Sequence, residues 1–154
     1  MADAYLTGLK WLAQRELSES QVRSRLARRA FAPDAIDRAI ARLRREHSID
    51  DRRTAVACAR AEARKRRGRL RALQRLAALG IPRPVAGEAV AEVFGVLDED
   101  DLIRQALERR LRRVPTPDAA VLQRAHRYLI GQGFDAARVH AAIRQRAKHA
   151  GHDD

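Results

Sequence analysis

The 154-residue chain has no asparagine, one cysteine, one tryptophan and three lysines, and only 4% of its residues are aromatic. Each shortage excludes something. Cys58 alone cannot make an intramolecular disulfide, which excludes a disulfide-stapled scaffold and predicts a reducing, cytoplasmic setting. Its neighbours Ala55, Ala57, Ala59 and Ala61 mark it as a small core residue rather than a reactive thiol. No apolar run is long enough to span a bilayer, and the opening residues, with Asp3, lack the apolar core of a signal peptide. Neither a membrane span nor a leader is predicted.

Chemical motifs are missing too. There is no Gly-rich phosphate loop, no nucleophile elbow and no Ser-His-Asp set. His47, His126, His140, His149 and His152 show no HExxH or Cys-His spacing, and the last two fall in a tail expected to fray. The acidic cluster Asp98, Glu99, Asp100 and Asp101 falls at a predicted helix start, where it complements the dipole rather than holding metal. The expectation is a protein that is not an enzyme and needs neither metal nor cofactor.

What remains is rich in Ala, Leu and Arg, with few β-branched runs, so propensity favours helix almost throughout and the fold class is all-α. A net charge of +12 and a pI near 11.3 call for an acidic partner, with nucleic acid or nucleoprotein ahead of a membrane surface. The preference for Arg over Lys suits bidentate phosphate or carboxylate contacts; a GC-rich coding bias would produce it as well.

The charge concentrates in RAEARKRRGRLRALQR, residues 60–75, where Arg60, Arg64, Lys65, Arg66, Arg67, Arg69, Arg71 and Arg75 face one acid, Glu62. If the residues before Gly68 are helical, Arg60, Arg64 and Arg67 share a face at i, i+4, i+7. Beyond Gly68, the spacing of Leu70, Leu73, Leu76 and Ala77 predicts a second helix with Arg69, Arg71 and Arg75 outward. The stretch is the first candidate polyanion-binding surface. Arg25, Arg28 and Arg29 form a second. Reversing Arg64, Arg67 and Arg71 to Glu is expected to leave helicity by circular dichroism intact while abolishing the protein's activity; preserved activity would place the working surface elsewhere.

Taken in order, Leu6, Leu9 and Ala13 define a helix over 4–15, with Trp11 off its stripe as a partial core residue or a stacking or interface residue. Ser18 and Gln21 form a capping box for the next, with Val22 and Leu26 inward. Pro33 and Asp34 open a third carrying Ile36, Ile40 and Leu43. The pattern then returns. RLARRAFAPDAIDRAI from Arg25, RLAALGIPRPVAGEAV from Arg75 and YLIGQGFDAARVHAAI from Tyr128 superimpose with periods of 50 and 53 residues. Gly80 and Gly133 stand where a left-handed helix end is needed, and Ala30 occupies the first copy's equivalent. This is a triplicated three-helix unit, with repeats over 1–48, 49–96 and 97–154, expected to form an elongated, curved array.

This order of signals resembles the RecX family of bacterial recombination regulators over nearly the whole chain. The most specific matches are RELSESQVRSRLARRAF at 15–31 and the basic segment with Gly68 ahead of LAALGI at 76–81. The chain departs from the family at Thr54, usually Phe, at Cys58, usually aromatic, and at Ala30, usually Gly. The resemblance implies a monomeric, non-enzymatic protein. It would bind the RecA recombinase and its filament on single-stranded DNA, lie in the filament groove, and suppress ATP hydrolysis and strand exchange. Contact with single- or double-stranded DNA through its basic face is compatible with that role, and the few bulky apolar residues beside the arginines argue separately against a membrane surface.

An independent helix-turn-helix DNA-binding module or transcription regulator is the alternative. A base reader places Asn, Gln or Arg on a recognition helix, and with no Asn this chain is better suited to backbone charge. Residues 60–75 contain no aromatic side chain for stacking bases, so binding there would be electrostatic and salt-sensitive.

Overall fold

The computed structural model describes residues 2–151, and every regular element among them is an α-helix. In order these are α1 (Ala4–Gln14), α2 (Glu19–Arg28), α3 (Pro33–Arg45), α4 (Asp51–Arg64), α5 (Arg69–Ala78), α6 (Arg83–Gly95), α7 (Glu99–Arg110), α8 (Ala119–Gly131) and α9 (Ala136–Ala150). His152 lies outside the described residues. Helix starts follow capping chemistry: Ser18 and Gln21 complete a capping box, and Asp3, Asp50, Asp98, Asp118 and Asp135 accept amides of the first turn. The α3 and α6 helices instead carry proline in the first turn.

Five helices end by the same device. Ala30, His47, Arg66, Gly80 and Gly133 adopt φ of 62°, 57°, 60°, 74° and 90°. The next amide then reaches back to a carbonyl inside the helix, as from Phe31 to Leu26, Arg67 to Glu62 and Ile81 to Leu76. Three of these five positions are not glycine and bear that strain in their own backbone.

Helix packing is concentrated within the triplets α1–α3, α4–α6 and α7–α9. Each has its own core. The first gathers Leu17, Val22, Leu26, Ile40, Leu43 and Ile49; the second Ala72, Leu76, Val90 and Phe94; the third Ile103, Leu107, Leu129, Phe134 and Val139. Three small cores leave more surface than one ball would. The chain exposes 10049 Å², against about 7,800 Å² for a compact monomer of its mass.

Two apolar stripes differ from the periodicity reading. In α1, Leu6 is 59% exposed and Ala13 also points outward, while Ala4 and Gly8 are buried. A Cβ on Gly8 would stand 3.1 Å from Leu43 Cδ1, so α1 crosses α3 at its smallest residue, and hydrophobicity does not mark that face. In α5, Leu70 is 57% exposed and the buried row is Gly68, Ala72 and Leu76. The start of α5 is turned inward by backbone contact with the third repeat.

Thr54 and Cys58 retain ordered roles. The buried Thr54 hydroxyl donates to Glu16 Oε1 at 3.0 Å, tying α4 to the connection between α1 and α2. Cys58 packs half-buried against the second core, and burial pushes its thiol above the usual range, away from the reactive thiolate.

Candidate polyanion-binding surface

The middle helices of the repeats, α2, α5 and α8, meet end to end. At the second joint the Gly68 and Leu70 amides donate to the carbonyls of Gln132 and Gly133 at 2.8 and 3.1 Å. The orphan carbonyls ending α8 thus satisfy the orphan amides opening α5, with opposite dipole ends together. No side chain fits between them: a Cβ on Gly68 would lie 2.4 Å from the Gly133 oxygen, and one on Gly133 would lie 2.3 Å from the Arg71 nitrogen.

The first joint repeats the arrangement with side chains in place of backbone. Ser18 Oγ donates to the Leu79 carbonyl, and Gly80 rests on Ser20, where a Cβ would fall 2.3 Å from Ser20 Oγ. Asp51 accepts the Glu19 amide at 2.9 Å. Burial holds its carboxyl above the usual range, with that amide pulling the other way.

This architecture divides the basic stretch. The α4 helix ends at Arg64, and the left-handed Arg66 sends the chain off its axis. Arg67 therefore does not extend the row of Arg60 and Arg64; it folds back onto buried Glu62 at 3.1 Å. Arg69 and Arg71 are half-buried rather than on the open side of α5. Arg69 pairs with Glu99 of the third repeat at 2.7 Å and its guanidinium carbon lies 5.9 Å from the Phe94 ring centroid. Arg71 donates to Gln132 Oε1 at 3.1 Å and to the Gly131 carbonyl. Arg60, Arg64, Lys65, Arg66 and Arg75 have no acidic partner among the described residues, and all but Arg66 are exposed.

The second patch gains a member. The guanidinium carbons of Arg25 and Arg29 each lie 5.7 Å from the Trp11 ring centroid, close enough for cation–π attraction. With Arg28 these residues line an open cleft of about 380 Å³. Trp11 was legible as a residue off its helix stripe, but its meeting with α2 was not. A third group was missed outright: Arg109, Arg110, Arg112 and Arg113 close α7 on the exposed surface, with Arg110 over Tyr128 at 4.1 Å. The run ERRLRR was its signal. Among the described residues no cluster of three or more His, Cys, Asp or Glu is placed to hold a metal, and no helix is long and apolar enough to cross a membrane.

The sequence model of the first three-helix domain of RecX matches residues 4–43. Regulatory protein RecX of Chlorobaculum tepidum is 31% identical over 128 residues, covering 82% of this chain and 78% of that protein. Regulatory protein RecX of Chromohalobacter salexigens is 31% identical over 137 residues, covering 88% and 87%. In fold, a RecX crystal structure from Lactobacillus salivarius superimposes with a TM-score of 0.81 at 17% identity over 94% of each chain. A second regulatory protein RecX crystal structure gives 0.79 at 21% identity, covering 92% of this chain and 71% of that one.

Proposed function

The chain belongs to the RecX family of regulatory proteins, and from that premise we propose that it binds the RecA recombinase and its filament on single-stranded DNA, restraining ATP hydrolysis and strand exchange. The observation that supports this reading is the set of unpaired cations on one repeat: Arg60, Arg64, Lys65, Arg66 and Arg75. A nucleoprotein filament presents carboxylates and phosphates along a helical groove, and an elongated basic array is complementary to it in charge and form. Arg25, Arg28 and Arg29 extend the surface onto the first repeat. Arg67, Arg69 and Arg71 act inside the protein: Arg67 neutralises buried Glu62 within the second repeat, and Arg69 and Arg71 hold the second repeat to the third.

The test is the single-strand-dependent ATPase of a bacterial RecA, titrated with this protein at fixed moderate salt. Inhibition below one molecule per recombinase subunit, undiminished by added bare DNA, is the expected result. Inhibition that appears only when bare DNA is saturated would replace this reading with an independent DNA-binding module.

A further inference from the structure

The cleft formed by Trp11, Arg25, Arg28 and Arg29 is chemically unlike the basic stretch at 60–75. Residues 60–75 offer charge without an aromatic plane, whereas here a half-buried indole sits beside three guanidiniums, none with an acidic partner among the described residues. Like charges gathered this closely repel one another, and the cation–π contacts relieve only part of that. A ligand bringing several negative charges and a flat ring would satisfy both features. We propose that this cleft binds single-stranded nucleic acid, with one base stacked on Trp11 and flanking phosphates held by Arg25, Arg28 and Arg29. The inference rests on the polyanion reading of this patch and not on the recombinase.

Three considerations select that ligand. An acidic peptide could neutralise the guanidiniums but has no planar group that need meet the indole. In a duplex the base faces are already stacked on each other, so only a single strand can offer one. The ligand also has somewhere to continue: Arg25 and Arg28 line a second cleft of about 280 Å³, which runs past Ser20 and Ser24 to Leu79 and Gly80 of the next repeat. A strand leaving Trp11 along that line passes from the first repeat to the second.

Trp11 is the only tryptophan in the chain, so its emission reports on this cleft alone. The full-length protein is titrated at low salt with a short oligothymidylate, an abasic strand of equal length, a duplex and polyglutamate. Saturable quenching by oligothymidylate, with much weaker quenching by the other three, is expected. Trp11→Leu is expected to weaken strand binding by roughly 5- to 150-fold, the range for one lost base stack, while Trp11→Phe retains most of the affinity. Arg25→Ala, Arg28→Ala and Arg29→Ala are each expected to flatten the salt dependence by about 0.7 in log–log slope.

Equal quenching by the abasic strand or by polyglutamate would overturn the proposal, and the wild-type titration requires no variant to fold. Wild-type affinity in both Trp11 variants would also overturn it. Inhibition of the RecA ATPase without quenching by bare strand would remove this inference and leave the function proposed above. Quenching without inhibition would do the reverse.

Discussion

Arg60 and Arg64 stand on the last turns of α4 with open solvent before them, whereas Arg67, Arg69 and Arg71, only a few residues further on, are committed to Glu62, Glu99 and the end of α8. The two groups share composition, neighbourhood and sign. They differ in what the topology brings opposite them: nothing for Arg60 and Arg64, the buried Glu62 of α4 for Arg67, and the third repeat for Arg69 and Arg71. Charge density along a sequence therefore does not by itself mark an interface. Unpaired charge is the better guide to a candidate surface, because a guanidinium already holding a carboxylate must lose that partner before it can bind another.

The comparison breaks most sharply at Arg67. Glu62 is 3% exposed, and Arg67 is its ion-pair partner. Arg67→Ala would strand a buried carboxylate, a loss of about 3 kcal/mol, at the lower end for broken buried pairs because Arg67 itself is partly exposed. Arg60→Ala, on the same stretch, is expected to change stability by less than about 0.5 kcal/mol. Urea midpoints of the two variants decide it; adding Glu62→Gln to Arg67→Ala should recover part of the loss. Equal midpoints would mean that the two groups do not differ as described.

A smaller effect is expected where the joint is made of backbone. Gly133→Ala must tolerate a φ of 90° and a Cβ 2.3 Å from the Arg71 nitrogen, and should cost about 1–3 kcal/mol. Gly87, inside α6 with nothing within 4 Å of a built Cβ, is the control: alanine there should stabilise by roughly 0.5–1 kcal/mol. Thermal unfolding of both variants tests the assignment, and a Gly133→Ala protein as stable as wild type would mean that the joint can open at no cost. Ala30→Gly relieves a left-handed alanine at φ 62° while loosening the unfolded chain, for a net gain of about 0.5 kcal/mol.

Much of the fold is legible in the residues alone. Ser18 with Gln21, and Asp50, Asp98 and Asp135, announce helix starts because capping is local chemistry. The left-handed ends at Ala30, Gly80 and Gly133 follow from superimposing the three copies, which lets two glycines identify the position where an alanine sits. His47 and Arg66 adopt the same conformation with nothing in their residue type to reveal it. In α1, the side chain that fits the crossing is Gly8, which no hydrophobic pattern marks. Pairings across repeats or between separate helices, Arg69 with Glu99 and Trp11 with Arg29, depend on how those helices are stacked. The Arg67–Glu62 pair was nearer to hand: Glu62 is the only acid in residues 60–75, and a lone acid there invites one of its neighbours.

The smallest expected effect on folding is the most informative about function. The triple variant Arg60→Gln, Arg64→Gln, Lys65→Gln removes only exposed, unpaired cations, so its stability should stay within about 0.5 kcal/mol of wild type. Its binding to single-stranded DNA or to the RecA filament should fall, with a salt slope flatter by about 0.7 for each phosphate no longer neutralised. The set Arg64, Arg67 and Arg71, chosen from spacing alone, would not serve, because it breaks the Glu62 pair and the joint along with the surface. Reversing Arg69 and Arg71 completes the contrast: repulsion from Glu99 and the carbonyls of α8 should lower stability first and binding only as a consequence. If both sets lost binding equally while both stayed fully folded, the division between paired and unpaired cations would carry no functional meaning, and the whole stretch would have to act as a single surface.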